Sequence, residues 1–258
     1  MIPETIIITG AGRGIGKAIA LDLAKKGSFI VCISRTKTCK DTTDEILKNG
    51  GKSEAIILDV SDYEYTEKIV QEYLNKTNHN NIGLVLAAGI IGPIGPINDI
   101  NLSEWDSCHR VNVLGSLAII KACLPMMLKD KFGKIVTFAG GGAAYANPVF
   151  PAYSATKTAM VRITENINED LKDKGDFSII CLGPGAIETD MLKQVKSAGG
   201  KIKTLSHISE PITLVRSFME SEKCNFSGCF VHVRNNWKDY LDSDKKISDS
   251  FWKLRRIE

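Results

Sequence analysis

Near the amino terminus an apolar run, Thr5-Ile6-Ile7-Ile8-Thr9, passes straight into Gly10-Ala11-Gly12-Arg13-Gly14-Ile15-Gly16, after which Ile15, Ile19 and Leu23 recur four residues apart as far as Gly27. A continuous apolar run suits a strand covered on both faces, and a four-residue recurrence suits a helix with one buried face. Between them, Gly10, Gly14 and Gly16 allow a tight turn and a close approach of the main chain to an anion, while the helix beginning near Ile15 offers it free N–H groups. A glycine triplet alone is a weak signal. Its place between strand and helix makes a dinucleotide-binding loop the expectation.

The same alternation of strand and helix continues down the chain. Further strands are expected at Phe29–Ile33, Ala55–Leu58, Leu84–Ala88, Lys134–Phe138, Ser178–Leu182 and Cys229–Val233, with long helices around Trp105–Met127 and from Tyr153 to about Lys172. Strands separated by helices imply an α/β fold: a Rossmann-like, doubly wound parallel sheet of about seven strands with helices on both faces. No repeat or low-complexity linker divides the 258 residues. The expectation is one dinucleotide-binding and catalytic domain over 1–258, with 237–258 an atypical C-terminal extension carrying Trp237, Tyr240, Phe251 and Trp252. Such aromatics should pack on the body or on a neighbouring subunit.

Composition narrows the functional classes. A net charge of +3 and one short basic cluster at the C-terminus, Lys253 to Glu258, give no footing for nucleic-acid binding. The first residues enter a strand without a basic, apolar leader, and no apolar run reaches the roughly 20 residues needed to span a bilayer, so a cytoplasmic chain without membrane attachment is expected. The seven cysteines are scattered and lack Cys-x-x-Cys spacing, which favours reduced packing residues. His79, His109, His207 and His232 lack ligand spacing, so no metal is expected. There is also no Gly-x-Ser-x-Gly elbow of a hydrolase.

The loop Thr9-Gly10-Ala11-Gly12-Arg13-Gly14-Ile15-Gly16 resembles the Thr-Gly-x-x-x-Gly-x-Gly pattern of the short-chain dehydrogenase/reductase family, and the resemblance covers nearly the whole chain. It implies that Asp59 and Val60 contact adenine, and that Pro184, Gly185 and Thr189 hold the nicotinamide carboxamide. Leu86-Ala87-Ala88-Gly89 stands where the family usually has Asn-Asn-Ala-Gly, keeping Gly89 and losing both asparagines. At the end of the second strand, a carboxylate would bind the ribose 2′-hydroxyl of NAD and repel a 2′-phosphate. Ser34 and Arg35 are found there instead, and Arg13 lies in the glycine loop. Two arginines directed at one phosphate point to NADP(H).

Tyr153 and Lys157 are one helical turn apart and share a face. An ammonium beside a phenol favours phenolate, so the pair suits proton exchange with a carbonyl or alcohol. The resemblance adds Asn112 as the residue that helps hold the lysine, and implies a serine at position 139 or 140 to hold the substrate oxygen. Here the residues are Ala139-Gly140-Gly141-Gly142, and the nearest hydroxyls are Thr137 and Tyr145. Glycines can turn backbone N–H groups into a pocket, so these amides are expected to replace the hydroxyl.

The expected activity is NADP(H)-dependent interconversion of a carbonyl and an alcohol on a small substrate. A catalytically silent NADP-binding sensor or scaffold is the alternative. The segment Leu192 to Glu210 resembles the family's mobile lid; its Lys193, Lys196, Lys201 and Lys203 suit an anionic substrate, although a solvated loop is the commoner use of lysine. The two long helices resemble the family's dimer-forming pair and imply a homo-oligomer, a dimer or tetramer.

Overall fold

The computed structural model describes residues 2–200, 205–248 and 250–255. Lys201, Lys203 and the Arg256–Glu258 part of the basic C-terminal cluster lie outside the described residues. Seven parallel strands form one sheet in the order β3-β2-β1-β4-β5-β6-β7. They are β1 Thr5–Thr9, β2 Phe29–Ser34, β3 Lys52–Ile57, β4 Ile82–Leu86, β5 Phe132–Phe138, β6 Asp176–Gly183 and β7 Phe230–His232. Parallel neighbours require crossovers, supplied by α1 Gly14–Ala24, α2 Thr38–Lys48, α3 Tyr63–Lys76, α4 Leu102–His109, α5 Gly115–Asp130, α6 Pro151–Leu171, α7 Asp190–Ser197 and α8 Ser209–Glu220.

The two-residue period of the strands builds two cores. Ile6, Ile8, Ile30 and Cys32 point to one side, where they meet Ile19 and Leu23 of α1, Ile46 of α2 and Leu214 and Phe218 of α8. Ile7, Val31 and Leu84 point to the other, against Val70 and Leu74 of α3 and Ile119 and Met127 of α5. All five residues of β1 are buried, as a central strand covered on both faces requires.

Some boundaries differ from expectation. β3 begins at Lys52, ahead of Ala55, because its exposed Lys52 and Glu54 hide the strand pattern at an edge of the sheet. β4 stops at Leu86, not Ala88: the Ala88 amide turns away to the Thr9 hydroxyl at 3.2 Å. The long helix around Trp105–Met127 is not one regular helix. A five-residue π-helical turn, Arg110–Leu114, separates α4 from α5. The combined stretch Leu102–Asp130 is long and apolar enough to cross a membrane, with a mean hydropathy of 1.8, but 61% of that window is buried inside the fold, as in a core helix.

The C-terminal aromatics pack on the body. Trp237 and Tyr240 are buried, and Trp252 lies 6.1 Å from Phe226, 5.5 Å from Tyr240 and 4.9 Å from Phe251, ring centre to ring centre. The Trp252 carbonyl accepts the Phe230 amide at 2.8 Å, so this segment closes the free edge of β7. Glu165 on α6 accepts from Arg162 and Arg255, which fastens the tail to that helix. All seven cysteines are free, and six are buried.

Candidate active site at the carboxyl ends of the strands

The glycine loop joins β1 to α1 at the sheet's carboxyl edge. Gly10 has φ +66° and Gly14 φ +56°, both in the region that side chains avoid. A Cβ on Gly10 would come within 2.9 Å of the Ala88 amide, and one on Gly16 would strike the Gly10 carbonyl oxygen. The loop is therefore a bare-backbone cradle at the start of α1, beside Ile15, and it fits the pyrophosphate of a dinucleotide. Gly14 also faces Thr189, whose Cγ2 is 3.4 Å from where a Cβ would sit, so the glycine loop and the segment after β6 form two sides of one cleft.

Around this cleft the sequence-derived residues take up different states. Thr189 caps α7 through the Leu192 amide at 3.4 Å, after Pro184 and Gly185, the latter at φ +72°. Asp59 follows β3 and accepts the Ser61 amide at 3.0 Å, beside buried Val60. Ser34, at the end of β2, is turned inward: its hydroxyl donates to the Thr36 carbonyl at 2.8 Å and accepts the Cys39 amide. The two arginines do not meet. Arg13 pairs with Asp190 at 3.3 Å and Arg35 with Asp59 at 3.9 Å, and both guanidinium groups are largely exposed. Long exposed side chains are set by the nearest opposite charge, here a carboxylate in each case.

The second cluster lies where β4 and β5 end against α6. Lys157 is buried, donates to the Phe138 carbonyl at 3.0 Å, and holds its ammonium 5.4 Å from the centre of the Tyr153 ring. A Cβ on Gly89 would sit 3.3 Å from the Asn112 Oδ1 and 3.7 Å from the Lys157 Nζ, so Gly89 keeps that corner open. Asn112 lies inside the π-helical turn. Its Oδ1 accepts the Ile90 amide at 2.8 Å, and its Nδ2 donates to the Ile90 carbonyl at 2.9 Å and to the Thr156 hydroxyl at 3.0 Å. The carboxamide is thus spent on fixing the turn after β4.

The electrostatics correct one expectation. Tyr153 is not drawn down by the ammonium; burial, followed by the nearby Cys108 thiol, pushes it up to about 12. Burial also pushes Lys157 down to about 8. Desolvation opposes every charged form, and in this enclosed corner it is the leading influence on both groups.

The substrate side of Tyr153 is bare. A Cβ on Gly140 would lie 3.5 Å from the Tyr153 hydroxyl, and at Gly141 it would meet nothing within 4 Å. Position 140, not 139, therefore faces the phenol, whereas Ala139 is buried. Thr137 cannot substitute, being fully buried and hydrogen-bonded to Thr164 at 2.7 Å. Gly141 and Gly142 open a 3-10 turn, and the amides of Ala143 and Ala144 are used within it, on the Gly140 and Gly141 carbonyls. Tyr145 is well exposed.

Residues 4–199 match the family model described as short chain dehydrogenase. This chain belongs to that family. It is 31% identical over 191 residues to the short chain dehydrogenase MYCFIDRAFT_6125 of Pseudocercospora fijiensis, covering 73% of this chain but only 61% of the fungal protein's length. It is 30% identical over 196 residues to the 3-oxoacyl-[acyl-carrier-protein] reductase of Synechocystis, covering 75% of this chain and 78% of that protein. An NAD+-bound xylitol dehydrogenase superposes with a TM-score of 0.81 at 20% identity, over 89% of this chain and 96% of that one, a likeness of fold.

As an oxidoreductase of this family, the chain has neighbours in its candidate site that the sequence did not single out. Cys108 accepts from the Asn112 Nδ2 at 3.3 Å, and Ser154 holds a solvent-shielded hydroxyl, without a partner among the described residues, against Gly142. Cysteine and serine are common buried residues, and only the packing of α4 and the glycine loop onto α6 brings them here.

Proposed function

We propose that the chain interconverts a carbonyl and an alcohol on a small molecule, with NADP(H) as coenzyme. The observation that carries this reading is the buried Lys157 ammonium held 5.4 Å from the Tyr153 ring, facing a space that no side chain of 140 or 141 fills. When bound, the nicotinamide supplies or accepts the hydride. The glycine loop, Asp59, Val60, Pro184, Gly185 and Thr189 would hold the coenzyme. Tyr153 donates its hydroxyl proton to the carbonyl oxygen in reduction and takes it back in oxidation. Lys157, with a pKa near 8, is mostly protonated at neutral pH and steadies the resulting phenolate. Asn112 acts one step further out, by fixing the turn at Ile90. Backbone N–H groups at Gly141 and Gly142 replace the serine hydroxyl as donors to the substrate oxygen.

NADP(H) is preferred because Arg13 and Arg35 flank the ribose end, and each can exchange its carboxylate partner for a doubly charged phosphate. The xylitol dehydrogenase neighbour is alike in fold alone and carries no argument about coenzyme. We further place the chain in the cytoplasm, as a single domain over 1–258 assembling into a homo-oligomer. A silent NADP-binding role remains the second reading, favoured by the glycine at 140.

Titration with NADPH and NADH, coupled to turnover on a panel of carbonyl compounds, tests the proposal. NADPH should bind at least tenfold more tightly, Arg35→Asp should reverse much of that difference, and Tyr153→Phe should abolish turnover. Turnover that survives Tyr153→Phe removes the proton-transfer role, whereas tight NADPH binding without any turnover favours the silent reading.

A further inference from the structure

Of the ten exposed large apolar or aromatic side chains among the described residues, five stand on the segments that follow β4, β5 and β6: Ile94, Ile97, Leu102 at the start of α4, Tyr145 and Leu205. Ile97 is 68% exposed and Leu102 75%, a costly state for isolated aliphatic groups collected at one end of the sheet. Two contacts connect these segments to the site. A Cβ on Gly92 would lie 3.6 Å from the Ala152 Cβ, next to Tyr153, and the Gly95 amide donates to the Val149 carbonyl at 2.9 Å, tying the loop after β4 to the loop after β5. Leu205 stands on the segment bridged to Ala186, after β6.

Several polar groups on these segments are already engaged. Asn98 donates to Asp99 at 2.6 Å, and Asn101 caps α4 through the Ser103 amide at 2.8 Å. Lys193 pairs with Asp190 at 3.3 Å and Lys196 with Glu188 at 3.8 Å, so both lysines already have a carboxylate partner. Beside Tyr153 itself, Gly140 and Gly141 offer no side-chain hydrogen bonds. Beyond the Ser154 hydroxyl and the glycine amides, a substrate rich in hydroxyls would replace few of its hydrogen bonds to water here.

Building on the reductase reading, we propose that the substrate carries its carbonyl on an apolar body, an aliphatic chain or hydrocarbon ring, that extends from Tyr153 over Ile94, Ile97, Leu102 and Tyr145. The apolar rim is the wall of the substrate site, and burial of hydrocarbon against it supplies the binding energy that the bare glycine loop does not.

The test uses the coenzyme-saturated protein and a homologous series of straight-chain methyl ketones, with dihydroxyacetone as the polar comparator. Catalytic efficiency should rise about fourfold per added methylene until the rim is covered. Ile97→Asn and Leu102→Asn should each lower efficiency on the longest ketone about tenfold and flatten the series, while Leu47→Asn on distant α2 should leave its slope unchanged. Calorimetric binding of the same ketones is measured in parallel. Affinity that climbs with chain length without turnover supports the apolar site and discards the reductase reading. A flat series in both measurements, or better handling of dihydroxyacetone than of the long ketones, overturns the proposal. So does an unchanged slope in both rim variants accompanied by a change in oligomeric state, which would make the patch an interface between copies.

Discussion

Gly140 has φ −174°, extended backbone open to any residue, and a Cβ there finds 3.5 Å of clearance from the Tyr153 hydroxyl. A serine fits that position without strain, so Gly140→Ser is expected to fold as the parent does and to place a hydroxyl beside the phenol. If the backbone donors are only a partial substitute, turnover should rise about tenfold, against the hundredfold to thousandfold usually lost with an oxyanion donor; steady-state kinetics on the best carbonyl substrate reads the change. A fall in turnover would mean that the amides already occupy the space. Tyr153 and Lys157 could be singled out because their spacing fixes a helix face and a place in the strand order, whereas Asn112 came from the family resemblance alone. The raised Tyr153 pKa was not, since burial depends on elements far apart in sequence. Nor was the carboxylate partner of Arg13, because side-chain pairing across 177 residues leaves no local signal.

Among the elements, α8 ends in a way no sequence pattern announced. Lys134 of β5 is buried and turns its ammonium to the carbonyls of Phe218 at 3.3 Å, Met219 at 3.0 Å and Ser221, the last acceptors of that helix. A cation at a helix C-terminus satisfies orphan carbonyls and complements the dipole, and inside the fold no water can replace it. Lys134→Ala should therefore cost about 2–3 kcal/mol in denaturant unfolding, whereas Lys172→Ala, whose ion pair with Glu169 is exposed, should leave stability nearly unchanged. Equal costs would show that the buried ammonium contributes nothing beyond packing. Lys134 read as an ordinary strand residue because charge alone does not reveal which carbonyls lie across the sheet. The strands themselves were easier: seven apolar runs predicted seven strands, and the errors fell at their ends, where Lys52 and Glu54 face outward and where Ala88 turns toward Thr9.

Across the whole molecule, the alternation of strands and helices made the doubly wound sheet legible, since parallel strands leave few other arrangements. The C-terminal aromatics were legible as a packing unit but not in their position, because nothing local to Trp252 indicates β7. Its removal is a test of the complete fold: Trp252→Ala deletes contacts to Phe226, Tyr240 and Phe251 and should lower unfolding stability by about 2–3 kcal/mol. It should also increase aggregation on heating, measured by light scattering; a variant as stable and clear as the parent would reduce the tail to decoration.

The carbonyl that Trp252 presents to Phe230 covers a strand border that would otherwise leave backbone groups unpaired, the kind of edge that invites adhesion to other chains. The segment thus doubles as a seal. A chain deprived of it would keep its nucleotide loop and its tyrosine yet turn sticky, failing at that border rather than in its chemistry.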